Sequence, residues 1–260
     1  MRIQITIASM AAAALLAGAG AAWADFKVHT PDVNKGEFAL ETVGNVGSDP
    51  NPDKSGEQSF TAEAEYGLTS WWQTELEFEF NRDPGFDDGQ RLRFDQITSE
   101  NTFQFTERGE YWIDTGFFAE YGQGIVAGSV NETTFGPLLR KDLWGTSNTL
   151  NLFVEKDLGP HAAGRPQFVY AVESRIDALQ VKFGRHFTVE PGVQYYGQPG
   201  QFSHFNHWAD QDNRAGPQLF GKVYDIGPGT LEWNAGLLFG LTSAVPRYTP
   251  RWQMEYEIHF

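Results

Sequence analysis

In the stretch WWQTELEFEF, Trp71 to Phe80, three glutamates alternate with apolar residues: Glu75, Glu77 and Glu79 against Leu76, Phe78 and Phe80. Period two sends successive side chains to opposite faces of a β-strand, so one face is acidic and the other apolar. Carboxylates stacked this way attract cations and crowd one another's ionisation. The acidic face is either the bulk surface of a soluble sandwich or a face turned inward. A second constellation is SHFNHWADQD, in which His204 and His207 stand three apart and Asp210 and Asp212 follow. Imidazole and carboxylate are what a divalent transition metal such as zinc or copper binds. In a loop H-x-x-H fixes no geometry, and a polar loop packed by Phe202, Phe205 and Trp208 is the competing reading.

Hydrolytic chemistry would need a histidine poised beside a nucleophile. Ser203 and His204 are adjacent, which points them apart in an extended segment, and His186 reads as a turn residue. No triad emerges, so the expectation is a protein that is not an enzyme and that needs no cofactor.

The chain that must position these residues has 260 residues, no cysteine, 28 glycines and an aromatic share of 15%. Its first 24 residues read as a cleaved secretory signal: Arg2, an apolar stretch from Ile5 to Ala22, and Ala22-Trp23-Ala24 as the cleavage motif. A single domain over 25–260 would remain. Beyond Ala24 no run of about 18 apolar residues exists, so no transmembrane helix is expected. A net charge of -15 argues against a nucleic-acid partner.

Alternating segments recur along the whole mature chain. Phe60, Ala62, Ala64 and Tyr66 oppose Thr61, Glu63 and Glu65, and Gly67 to Ser70 links them to the opening strand as a hairpin. Twelve strands are expected, near 36–46, 57–67, 70–82, 91–106, 110–122, 131–144, 147–157, 166–185, 189–197, 213–224, 230–243 and 249–260. In the eighth, Phe168, Tyr170 and Val172 are out of phase with Leu179, Val181 and Phe183, which reads as one long strand bulged near Ile176 to Ala178. Short links then fall at one end and most of the longer Gly/Pro/Asp-rich links at the other. Sorted links of this kind, with an even strand count, match an all-β, transmembrane, antiparallel up-and-down β-barrel.

The last strand, RWQMEYEIHF, resembles the terminal strand of Gram-negative outer-membrane proteins, which end in Phe with apolar or aromatic residues at alternating positions. Tyr256, Ile258 and Phe260 fit that pattern, and the resemblance implies recognition by the barrel-assembly machinery. EPGVQYYG, AGPQLFG and GLLFGLTSA, in the last third of the chain, resemble segments of barrels grouped with the MetA-pathway of phenol degradation type. That resemblance implies transport of small compounds, aromatic ones included; no binding residue carries over from it. Some barrels of this size are lipid hydrolases, the less favoured reading here.

In such a barrel the apolar faces meet outer-membrane lipid and the polar faces the lumen. Closing the last strand on the first makes Glu37, Glu41, Glu63, Glu65, Glu75, Glu77, Glu79, Glu255 and Glu257 one acidic wall. Arg93, Arg140, Lys182 and Lys222 are the inward basic candidates, with Arg91 the alternative to Arg93. The wall would favour cationic or neutral small-molecule permeants over anions. The alternatives are charges that pair across a narrow lumen and plug it, or a closed barrel that acts through its long outer loops.

Overall fold

The computed structural model describes residues 26–85, 91–126, 128–160, 162 and 164–260. The expected signal peptide lies outside the described residues. Alternating segments become β1 (Glu37–Val46), β2 (Gln58–Gly67), β3 (Trp72–Arg82), β4 (Arg93–Gln104), β5 (Asp114–Gly124), β6 (Asn131–Leu143), β7 (Thr146–Leu158), β8 (Gln167–Arg175), β9 (Val181–Phe183), β10 (Phe187–Gln201), β11 (His204–Phe205), β12 (Asp212–Ile226), β13 (Gly229–Gly240) and β14 (Tyr248–His259). Each long strand pairs antiparallel with the next, β8 pairs with β10, and β14 returns to β1. The result is a closed barrel of 12 staves, in which β8 and β9 share one edge of β10 and β11 is a short hairpin addition to it. Closure leaves no long free edge, and tilted staves of this length suit a transmembrane barrel.

Period two decides which side chains go inside. On β3, Glu75, Glu77 and Glu79 are buried while Leu76 is 45% and Phe78 37% exposed on the outer face. Val193, Leu219 and Met254 are exposed on the same outer belt. Outer aromatics also cover strand glycines. A Cβ on Gly44 would lie 2.7 Å from the Trp252 indole, and one on Gly221 2.4 Å from that of Trp233.

The long eighth strand is interrupted where the bulge was expected. β8 stops at Arg175, a 3-10 turn spans Asp177–Leu179, and β9 pairs only with β10. The physical cause is Pro191. The Ile176 N–H donates to the Pro191 carbonyl at 2.9 Å, but proline has no N–H with which to return the bond, so the ladder is interrupted there. The ladder resumes at β9, which takes the same edge of β10 as β8 and runs in the same direction, so β8 and β9 form one stave interrupted by an irregular stretch at 176–180, where the bulge was expected, and the stave count stays even. That stave turns back through a short link at 184–186, at the end of the barrel where β1 begins and β14 ends, here the terminal end.

Residues 26–36 form no strand and run into the lumen from the terminal end. The Gly36 N–H donates to the Gly67 carbonyl at 2.8 Å, and the Phe260 N–H donates to the Gly36 carbonyl at 3.2 Å. Further in, the Val33 N–H donates to Gln104 Oε1 at 2.8 Å and Arg140 holds Asp32. Asn151 grips His29 twice, accepting its N–H at 2.9 Å and donating to its carbonyl at 2.8 Å. The Tyr196 hydroxyl donates to the Phe26 carbonyl. Side chains of the wall thus satisfy backbone groups that have no ladder partner.

Two inward glycines make room for the segment. A Cβ on Gly67 would lie 1.9 Å from the Asn34 carbonyl oxygen, and one on Gly116 2.9 Å from Pro31 Cβ. Gly67→Val should therefore lift the segment from the wall without breaking the barrel. Trypsin should then cut at Lys27 in the folded variant at a rate roughly tenfold or more above wild type, since opening governs cleavage; mass spectrometry of the fragments checks this.

Candidate functional site

Cross-strand register places the inward glutamates directly opposite one another. One row runs Glu232, Glu255, Glu41, Glu63, Glu77 across β13, β14, β1, β2 and β3. A second runs Glu65, Glu75, Glu100, Glu120 across β2 to β5, with Glu257 beyond the small Ala39. Opposed carboxylates on one sheet face repel, so the rows are costly unless something neutralises them.

Lys27, on the lumenal segment, supplies the countercharge. Its Nζ is 2.8 Å from Glu41 Oε2 and 3.0 Å from Glu75 Oε2, and it is hydrogen-bonded to Glu63. Glu65 Oε1 and Glu100 Oε2 stand at 4.0 Å. The lysine and these carboxylates are all buried. Neighbouring polar groups share the remaining acceptor capacity: Thr61 donates to Glu63 at 2.7 Å, Gln73 to Glu65 at 2.7 Å and Thr98 to Glu79 at 2.8 Å.

Apolar packing fixes the segment on either side of Lys27. Phe26 sits edge-on to Tyr196, with ring centroids 5.2 Å apart, in a cluster with Ala171 and Leu238. The His29 ring lies 4.1 Å from that of Phe118, which packs with Leu138, Phe153 and Val169. At the far end Arg214 lies over the Phe26 ring at 4.7 Å and pairs with Asp212 at 2.9 Å and Glu57 at 3.2 Å. Arg251 donates to Gln194 at 2.8 Å and to Asn234. The far loops brace one another: the N–H groups of Asn51 and of Arg247 donate to Asp49, and with Lys54 and Arg247 nearby they hold its carboxyl below the ordinary range.

In the terminal half a cavity of about 580 Å³ remains, bounded by Lys27, His29, Glu41, Glu65, Glu75, Glu255 and Glu257 on one side and Arg140, Arg175 and Lys222 on the other. The basic groups have partners of their own. Arg140 bonds Asp32, Arg175 Nε is 2.6 Å from Glu173, and Lys222 bonds Glu232. The acidic side is therefore the one whose charge faces the cavity in excess.

Of the residues singled out in the sequence, Glu41, Glu63, Glu65, Glu75, Glu77 and Glu79 are buried inward, and Glu37, Glu255 and Glu257 border the cavity. Arg140 and Lys222 border the cavity. Arg93 and Lys182 take the inward register, opposite Asn81 and Thr188, but stand exposed at the rims: Arg93 at the far rim, 3.5 Å from Asp83, and Lys182 on β9 at the terminal rim. His204, His207, Asp210 and Asp212 do not form a metal cluster: no three of them bring ligand atoms within 4.8 Å of one another. His204 is tied into the β10–β11 hairpin, His207 precedes a short 3-10 turn that Asp210 ends, and Asp212 is engaged by Arg214. His186 pairs with Asp225 and His259 with Glu37 at the terminal rim. Tyr256 donates to the Ile226 carbonyl at 2.6 Å, Ile258 pairs with Phe38 and Gly229, and Phe260 is exposed.

Sequence reasoning missed Lys27, His29, Glu100, Glu120 and Glu232. For the glutamates the signal was register, which follows once the strands are paired. For Lys27 and His29 it was indirect: an acidic wall with few basic staves requires a cation from elsewhere, and residues 26–36 precede the first stave. Lys27→Met should destabilise the folded barrel by on the order of 3–5 kcal/mol, the cost of leaving buried charges uncompensated, while Lys27→Arg retains most of the stability. Urea titration in lipid vesicles measures both.

No family model matches the chain, and no curated protein matches it in sequence. Solved structures match it in fold. An outer-membrane channel from Pseudomonas putida F1 superposes with a TM-score of 0.56 at 11% identity, covering 88% of this chain and 97% of its own. The translocator domain of the autotransporter NalP from Neisseria meningitidis gives 0.54 at 9% identity, covering 86% and 88%. The NanC porin gives 0.51 at 8% identity, covering 85% and 100%. At these identities the likeness is one of barrel architecture.

Proposed function

We propose that this chain is a bacterial outer-membrane channel for small solutes, held shut in the present conformation by its own N-terminal segment. The observation that carries the reading is the pair of glutamate rows lining a barrel interior and converging on one plug-borne lysine. A barrel that needed only to be stable would do better with an apolar or internally paired interior, because opposed carboxylates cost energy. When the segment withdraws, the exposed rows favour cationic or neutral solutes and disfavour anions.

Several features support the setting. The outer belt of Leu76, Phe78, Val193, Leu219 and Met254 needs an apolar surrounding. Trp71, Trp112 and Trp144 are exposed at the terminal end, as an interfacial girdle requires. In this reading the terminal end is periplasmic, and Tyr256, Ile258 and Phe260 carry the signal for assembly.

A second reading, a closed barrel acting through its far loops, is favoured by one observation: Tyr196, Leu238, Arg251 and Gln194 pack the far half of the lumen to almost no exposure. Planar-bilayer recording separates the two. Deleting residues 26–33 should raise mean conductance roughly fivefold or more over wild type by clearing the constriction. A deletion variant as silent as wild type supports the closed barrel. In the conducting variant, Glu75→Gln, Glu77→Gln and Glu79→Gln together should shift the reversal potential under a KCl gradient toward zero, by roughly half of its starting value. An unchanged potential would remove the acidic wall from the selectivity mechanism.

A further inference from the structure

We infer that the position of the Lys27 ammonium is a binding site for the primary ammonium group of a small aliphatic amine, and that such amines, diamines above all, are the preferred solutes of the lumen. The inference rests on the channel reading for its second half only.

An alkylammonium has three N–H donors and no acceptor. At Lys27 Nζ those donors meet Glu41, Glu63 and Glu75, the first and last at 2.8 and 3.0 Å, so one ammonium is fully engaged. The site nevertheless offers more. Glu100 Oε2 is fully enclosed, stands 4.0 Å from Nζ and receives no hydrogen bond, and Glu65 Oε1 stands equally far. One positive charge therefore leaves the pocket with surplus acceptors. A ligand with a second ammonium could serve them, or reach Glu255 and Glu257 along the adjoining cavity of about 580 Å³.

The segment that carries Lys27 is built to be exchangeable. It makes no strand ladder inside the lumen and is tethered by individual side chains, Asn151, Gln104, Arg140 and Tyr196. Lys27 thus occupies the site as a tethered alkylammonium, and a free one can take its place when the tether moves. Inorganic cations lack directional N–H donors, and quaternary ammonium ions lack N–H altogether, so both match the carboxylate tripod less well.

Calorimetric titration of the variant lacking residues 26–33 with 1,4-diaminobutane tests this independently of conduction. Binding at least tenfold tighter than that of tetramethylammonium at equal ionic strength is expected, and Glu63→Gln with Glu75→Gln should abolish the difference. If that deletion does not fold, the full chain carrying Lys27→Ala serves: propylammonium should raise its unfolding midpoint, and tetramethylammonium at the same concentration should not. Equal behaviour of the two cations overturns the inference while leaving the channel reading intact. Selective binding by a deletion variant that never conducts overturns the channel reading and leaves the ammonium site standing.

Discussion

A single buried ammonium sets the condition under which this barrel can exist as described. Lys27 Nζ meets Glu41, Glu63 and Glu75 inside a wall whose register stacks carboxylate against carboxylate over neighbouring strands. Coulomb repulsion between opposed carboxylates is weak in water and strong in an enclosed interior, so the wall needs a cation at that depth. The cation arrives on the N-terminal segment, and the segment therefore has to lie in the lumen. Gly67 and Gly116, Asn151, Gln104 and the aromatic seats of Phe26 and His29 follow from that requirement.

In the proposed channel the same arrangement links stability to transport. There, what holds the segment in place also occupies the conducting path, and the carboxylates proposed to make that path selective repel one another once the segment leaves. On that reading an occupied lumen is the stable state, and the proposed ammonium solute restores what Lys27 took away. Ligand and plug then compete for one set of carboxylates, which is the differential interaction that a population shift requires.

Much of the barrel was legible because period two is a local signal that survives without knowledge of partners. The strand of Glu75, Glu77 and Glu79 announces both of its faces, and pairing it with its neighbours generates the rows. What the sequence hid was hidden for physical reasons. Phe168 to Val172 and Leu179 to Phe183 are both strand-like, and the missing N–H of Pro191 on the adjacent strand interrupts the ladder between them, so Lys182 stands at the terminal rim and not beside the cavity. Arg93 lies so near the rim that solvent, and not the lumen, receives it. The histidines and aspartates of SHFNHWADQD are close in sequence, yet a hairpin and a 3-10 turn send them apart and Arg214 claims Asp212. Residues 26–36 carry no periodicity at all, because their contacts are made to staves all round the barrel and none to themselves as a regular element.

The central claim is that Lys27 and the glutamate rows hold one another. A double-mutant cycle joining Lys27→Met with Glu63→Gln, read by reversible urea unfolding in lipid vesicles, measures that coupling directly. A coupling energy of about 1 to 3 kcal/mol is expected if the two side chains share the buried site; additivity to within about 0.5 kcal/mol would contradict it.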